Sequence, residues 1–178
     1  MFKRIPKRGF NNKRFGENMI AINVGTLQDY VDMGRLPVQK VDGQALTMKD
    51  LLDAGVCGSS FSLIKSHGMK LLADGKERLR SPIKLEIARA SRSAIEALEA
   101  VGGSVTTVHY NRLALRVLMK PKRYENKIVP KQAKPPPKRL SYYTSYDNRG
   151  YLSLEKQLEN KLKLSIDSVL GSTKNQST

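Results

Sequence analysis

Cysteine and histidine are nearly missing from this chain and acids are outnumbered two to one, with one Cys, two His and 16 Asp/Glu against 32 Lys/Arg in 178 residues. A lone Cys57 cannot close an internal disulfide, which points to a reducing compartment or to an assembly that needs no crosslink. Cys57, His67 and His109 fall at no metal-ligand spacing. Cys57, between Gly55-Val56 and Gly58, reads as a small buried filler, and His109, after a strand, as an RNA-facing or edge residue. Asp50 with Asp53, and Glu96 with Glu99, stand three apart on helices that also need solvated faces. Gly75-Lys-Glu-Arg78 lacks the second glycine and the Lys-Ser/Thr pair of a phosphate-binding loop. No apolar run approaches the length of a membrane span, and no apolar signal core follows Met1. The expectation is a protein that is not an enzyme, with no cofactor, metal, membrane span or small-molecule substrate.

Positive charge is what the chain has in excess: the net is +16 and the pI about 10.1. A polyanionic partner is the default inference. The excess is concentrated at two places. Residues 1–20 hold six Lys/Arg against one acid, and 119–140 hold eight against one, whereas 21–118 carry 13 against 10. Four segments follow: a basic extended RNA-contacting segment (1–20), a globular α/β domain (21–118), a basic proline-rich extension (119–150) and an amphipathic helix with its tail (151–178). The dense like charge of the two basic segments, with Pro121, Pro130 and Pro135-Pro-Pro137, predicts that they become ordered only against a partner.

The domain is organised around Lys84–Gly103. Leu85 and Ile87 alternate with Lys84 and Glu86, the period of a strand with one buried face. The pattern then turns helical, with Ser93 as cap, Glu96 three residues on, and Gly102 as the stop before a strand over Ser104–Val108. Arg89, Ser91, Arg92 and Ser93 collect cations and hydroxyls at a helix N-terminus, a corner suited to a phosphate. Ile20–Asn23 and Gly68–Leu72 read as strands, Thr26–Met33 as a helix stopped by Gly34, and Asp74-Gly75 as a turn. Thr47 with Asp50 marks a helix running to Ala54. Leu113–Leu118 fits a strand or a short helix equally well. Strands alternating with short helices argue for an α/β unit. From about Ser153 to Leu170 a helix is expected, whose stripe of Leu154, Leu158, Leu162 and Ile166 would pack on its own domain or dock on a protein neighbour.

The first fifteen residues interleave cations with Phe2, Phe10 and Phe15. Cations neutralise phosphates of any sequence, and aromatic rings give unpaired bases a face to stack on. A basic, acid-free start also fits a mitochondrial transit peptide, although Pro6 and Gly9 interrupt an amphipathic helix. Local features leave both readings open.

Several motifs in fixed order carry a resemblance. Ile5-Pro-Lys-Arg-Gly-Phe10, Ile22-Asn-Val-Gly-Thr-Leu27, Leu46–Gly55, Gly68-Met-Lys-Leu-Leu72 and Ala88-Arg-Ala-Ser-Arg-Ser-Ala-Ile-Glu-Ala97 with Gly102-Gly103 are similar to large-subunit ribosomal protein family fifteen. Tyr110–Arg116, Pro135–Thr144 and Arg149-Gly-Tyr-Leu152 resemble its mitochondrial branch. The resemblance implies a compact α/β domain of irregular β-β-α turns, with extended basic N-terminal and C-terminal segments and a C-terminal helix, seated on large-subunit ribosomal RNA beside other ribosomal proteins in the mitochondrial matrix. It places the Pro-Lys-Arg-Gly-Phe stretch in the mature, RNA-contacting chain. Members usually carry a Gly/Arg-rich arm ahead of this stretch, and this sequence begins where that arm would end. The RNA-binding residues expected are Lys3, Arg4, Lys7, Arg8, Phe10, Lys13, Arg14 and Phe15 in the first segment. Arg89, Ser91, Arg92, Arg112 and Arg116 are expected on the domain, and Lys120, Lys122 and Arg123 beyond it. The alternative is a free-standing RNA-binding protein or RNA chaperone, which would share the charge but act alone.

Overall fold

Ile20–Asn23 (β1) leads without a break into a helix, Val24–Asp32 (α1), in a computed structural model that describes residues 9–10, 16–38, 43–57 and 60–162. The helix is capped at Asn23, three residues before the expected cap at Thr26. Its first turn is tied to the distant 74–75 turn, Gly25 N–H donating to Asp74 O at 3.0 Å and the Asn23 amide to the Asp74 carboxylate at 3.2 Å. Met48–Asp53 (α2) begins where Thr47 and Asp50 predict, the Asp50 carboxylate accepting from Thr47 N–H at 2.7 Å. Ser60–Lys65 (α3) and Met69–Leu72 (β2) follow, then a 3-10 turn at Lys76–Arg78.

Lys84–Ile87 (β3) and Arg89–Ala90 (β4) are separated by Ala88 alone, yet they belong to different sheets. One sheet has the order β1-β2-β4, all parallel, with Ile20 opposite Met69 and Leu71 opposite Ala90. The other pairs β3 in parallel with Ser104–Thr107 (β5), joined by the helix Arg92–Ala100 (α4). Parallel neighbours require such crossovers, which is why each strand pair is far apart in sequence. Leu46 extends the second sheet beside Leu85, and Gly150 extends it beside Thr107. The core between sheets and helices is aliphatic, with Leu27, Leu46, Met48, Leu51, Leu63, Leu71, Ile83, Leu85, Ile87 and Leu98 fully buried. Cys57 packs within it, as expected of a filler.

Two local expectations change. Helix α4 is capped from Ser91, not Ser93, because Ser91 N–H donates to Leu71 O at 2.9 Å and the sheet runs straight into the helix. The undecided Leu113–Leu118 stretch is helix, Arg112–Met119 (α5), started by Asn111, whose side chain accepts from Ala114 N–H at 2.7 Å. Leu115 and Met119 form its buried face.

The second basic segment was expected to take shape only against a partner, and its later half takes shape against its own domain. Pro137–Thr144 (α6) sets Tyr143, 1% exposed, into the body, where its hydroxyl donates to Ala88 O at 3.0 Å. Beside it the Tyr142 hydroxyl accepts from Ala90 N–H at 3.2 Å and donates to Ala90 O at 3.0 Å, occupying the free edge of β4 as a neighbouring strand would. The chain then returns along β5: Thr107 N–H donates to Arg149 O at 2.9 Å and Tyr151 N–H to Thr107 O at 3.0 Å. Arg149, held at φ 51°, grips Glu99 through two nitrogens at 2.6 and 2.8 Å. Four tyrosines and one bidentate ion pair lie among the cations of 139–151, and they supply the burial and hydrogen bonding that offset the like charge. Earlier in the segment Gln132 donates to His109 O at 2.7 Å and Pro135 is buried, while Ile128 is 97% exposed.

Within the described residues, 154–162 are helical (α7). The helix presents Leu154 and Leu158 to solvent and turns Lys156, Glu159 and Asn160 toward β3 and β5, so the stripe does not pack on the domain in this part. Ile166 and the remainder of the expected helix lie outside the described residues.

Candidate nucleic-acid interface

Lys3, Arg4, Lys7, Arg8, Lys13, Arg14 and Phe15 lie outside the described residues. Phe10 is 92% exposed, a ring with no packing among the described residues. The other candidates form two groups, one at the β4–α4 corner and one along α5.

At the corner, Arg89 is largely committed within the fold. Its guanidinium lies 2.9 Å from Glu17 and 5.1 Å from the centre of the Tyr142 ring. Glu17 also holds Arg139 of α6 at 2.7 Å, so one carboxylate joins the segment before β1 to β4 and α6. Ser91 caps α4 by its backbone, and its buried Oγ has no hydrogen-bond partner among the described residues. Arg92 points outward with Asp147 at a loose 3.8 Å, leaving the guanidinium free to take another anion.

Along α5, Arg112 and Arg116, followed by Lys120 at its C-cap, are exposed at four-residue spacing on the flank next to the buried Leu115 and Met119. Four residues rise about 6 Å along a helix, so the three cations form a continuous stripe. It runs into the 3-10 turn Pro121–Arg123, where exposed Lys122 and Arg123 border a depression with Lys49. Amphipathicity here has an aliphatic side facing the core and a cationic side facing out. Such a surface binds phosphates without reading sequence.

The start of the same helix borders a cleft of about 440 Å³ that linear reading did not anticipate. Lys65, His67, His109, Arg112, Pro136 and Arg139 converge there from three separate stretches of chain. His67 is fixed by mutual bonds with Asn18: its N–H donates to Asn18 O at 2.7 Å, and its Nδ1 accepts from Asn18 N–H at 3.3 Å. His109 was expected at an edge or facing RNA, but it is 5% exposed, with its ring 5.5 Å from that of Tyr143. Burial, then the nearby charges of Arg139 and Arg89, hold its imidazole below the ordinary histidine range, so it is neutral at pH 7. No signal in the sequence could have joined residues 65 and 139. Tyr110 beside it donates to the Glu86 carboxylate, and burial first, then that carboxylate, push its phenol far up.

Among the described residues no three His, Cys, Asp or Glu side chains gather as a metal site, and no helix is long and apolar enough to cross a membrane. A family model described as ribosomal proteins 50S-L15, 50S-L18e and 60S-L27A matches residues 21–106. The chain is 34% identical over 157 residues to "Large ribosomal subunit protein uL15m" of Schizosaccharomyces pombe, covering 88% of this chain and 57% of that protein. A protein of the same name from Danio rerio is 31% identical over 156 residues, 84% of this chain and 50% of that one. "Large ribosomal subunit protein uL15" of Methylorubrum extorquens is 40% identical over 107 residues, 60% and 56% of the two chains. The chain thus spans about half the length of these relatives.

Proposed function

Since the chain belongs to large-subunit ribosomal protein family fifteen, we propose that it is a structural constituent of the mitochondrial large ribosomal subunit, binding and stabilising large-subunit ribosomal RNA beside neighbouring ribosomal proteins. The mitochondrial assignment follows the two long matches, both to proteins named uL15m. The observation that carries the RNA-binding role is the cationic stripe of Arg112, Arg116 and Lys120, continued by Lys122 and Arg123, on a helix whose adjoining flank is core. Guanidinium forks grip two phosphate oxygens at once and so fix orientation as well as charge. Arg92 and the first-segment residues Lys3, Arg4, Lys7, Arg8, Lys13 and Arg14 would add contacts to adjacent RNA helices, with Phe10 or Phe15 stacking on a splayed base. A part of this kind works by neutralising phosphates and holding RNA helices in one arrangement, and it requires no reaction chemistry.

The test is sedimentation of the native protein. It should travel with the large subunit at moderate salt, and replacing Arg112, Arg116 and Lys120 together should release it at lower salt. For the isolated protein, the slope of log affinity for RNA against log salt should flatten by roughly 0.7–0.9 for each lost phosphate contact. A protein that stays in the light fractions while binding assorted RNAs would favour the free-standing RNA chaperone instead.

A further inference from the structure

We propose that the cleft between the end of α3, the 109–112 turn and the start of α6 holds a single unpaired nucleotide of the RNA, splayed out of its strand. The inference rests on the ribosomal role above and names what one part of the surface receives. The cleft is a different kind of site from the α5 stripe. The stripe is a row of exposed cations, suited to phosphates on the outside of a helix. The cleft, about 440 Å³, lies within the range of pockets that enclose a small molecule.

Its lining is divided between cations, a neutral polar group and an apolar wall. Arg112, exposed at the first position of α5, stands where the unpaired N–H groups of the helix start add to its charge, an arrangement for a phosphate. Pro136 and the ring of Tyr110 offer faces without charge. Between them sits His109, nearly all of it buried, with its imidazole making no hydrogen bond among the described residues although it borders the cleft. Its ring nitrogens are not sealed off from the cleft, so a ligand seated there would exchange their water for a direct hydrogen bond.

The protonation state of His109 narrows the ligand. A neutral imidazole presents one donor and one acceptor, so it complements a group that also both donates and accepts: a base edge or a ribose 2′-hydroxyl. A bare phosphate, which only accepts, would use half of it. The neighbouring charges are already arranged, since Arg139 is neutralised by Glu17 and Arg112 faces outward. A nucleotide with its phosphate at Arg112 and its base or ribose toward His109 therefore satisfies both ends of the cleft. Unpaired nucleotides are the part of RNA whose edges are open to this kind of contact.

Purified large subunits containing the full chain test this through 2′-hydroxyl acylation of their RNA, comparing wild type with His109→Leu and His109→Gln. Leucine keeps an apolar body against Tyr143 and removes the polar atoms; glutamine keeps one donor and one acceptor. The leucine variant should raise the acylation of one or two nucleotides about fivefold, the scale of one net hydrogen bond, and glutamine should restore most of the protection. Unchanged acylation throughout the RNA in both variants would overturn the proposal. A second measurement needs no variant: wild-type subunits carrying 4-thiouridine are irradiated and the protein adducts mapped. Nucleotide adducts at His67 or at 109–112 support the cleft. Adducts confined to 116–123, or a neighbouring protein crosslinked to Lys65 in their place, would remove the cleft while leaving the structural role intact. Absence of the chain from the subunit fraction would remove both.

Discussion

Replacing Gly150 with alanine adds one methyl group, and its consequence can be worked from the structure. The new Cβ would lie 2.1 Å from Tyr143 O, 2.4 Å from its carbonyl carbon and 2.8 Å from its Cα. All three are backbone atoms of α6, so no side chain can swing away. The φ of Gly150 is outside the left-handed region, and the penalty is one of space alone. The return segment must then move off Thr107, which gives up bonds to the backbone of Asn148, Arg149 and Tyr151 at 2.9, 2.9 and 3.0 Å, or α6 must lift and expose Tyr143. Three net hydrogen bonds at about 1 kcal/mol each, or the ~3–5 kcal/mol typical of losing a large buried aromatic contact, set a cost of roughly 2–4 kcal/mol. For a chain of this size that lowers Tm by roughly 4–16 °C. The chain has no tryptophan, so its near-UV circular dichroism reports tyrosines, and the Tyr142–Tyr143–Tyr151 cluster should dominate the change. Gly102→Ala is the control: it strains a φ of +83° but meets nothing nearer than Pro82 Cβ at 3.9 Å. If Gly150→Ala melts like Gly102→Ala and keeps its near-UV spectrum, α6 is not seated as described and the argument fails.

The hydrogen bonds of the Arg149 fork hold the Glu99 carboxyl below the usual carboxylate range, against a smaller opposing effect of burial. A depressed folded pKa contributes stability at neutral pH that is lost as the pH falls through it, so the urea midpoints of wild type and Glu99→Gln should differ at pH 7 and converge toward pH 3; a constant gap would refute this. Glu17→Gln leaves Arg89 and Arg139 facing each other and should cost roughly 1–2 kcal/mol at low salt, with thermal melts showing part of the loss recovered at about 0.5 M salt. Burial pushes the Cys57 thiol up, so alkylation of the native protein at pH 8 should proceed only as fast as the core opens and become rapid in urea; prompt native labelling would place Cys57 outside the core.

Elements whose causes lie within a few residues were readable in the chain. Alternation of Leu85 and Ile87 with charged neighbours marked β3, Thr47 with Asp50 marked α2, and Gly102 closed α4. Elements whose boundary is set by a distant partner were displaced. The start of α1 depends on Asp74, and the cap of α4 depends on Leu71, each reached only after the chain has folded back. Charge counting weighted the two ends of the domain and left 21–118 nearly neutral, so the alignment of Arg112 and Arg116 on one face, which depends on 112–119 being helix, was not visible to it. It also failed for α6, because composition averages over Tyr142 and Tyr143 and cannot register that both hydroxyls meet backbone groups of residues 88 and 90.

By itself, the sequence determined the chemistry on offer: an excess of fixed positive charge, one Cys and two His, short strands alternating with short helices, and motifs that resemble one ribosomal protein family. Tertiary structure alone decided which of those charges face outward. Arg89 and Arg139 are drawn in by one glutamate while Arg112 and Arg116 are exposed, without an ion pair among the described residues, and His109 is buried at the floor of a cleft. The physical reason is range: strand period, helix caps and charge density act between neighbours in the chain, whereas ion pairing and burial act between groups that only the closed loops of the fold bring together.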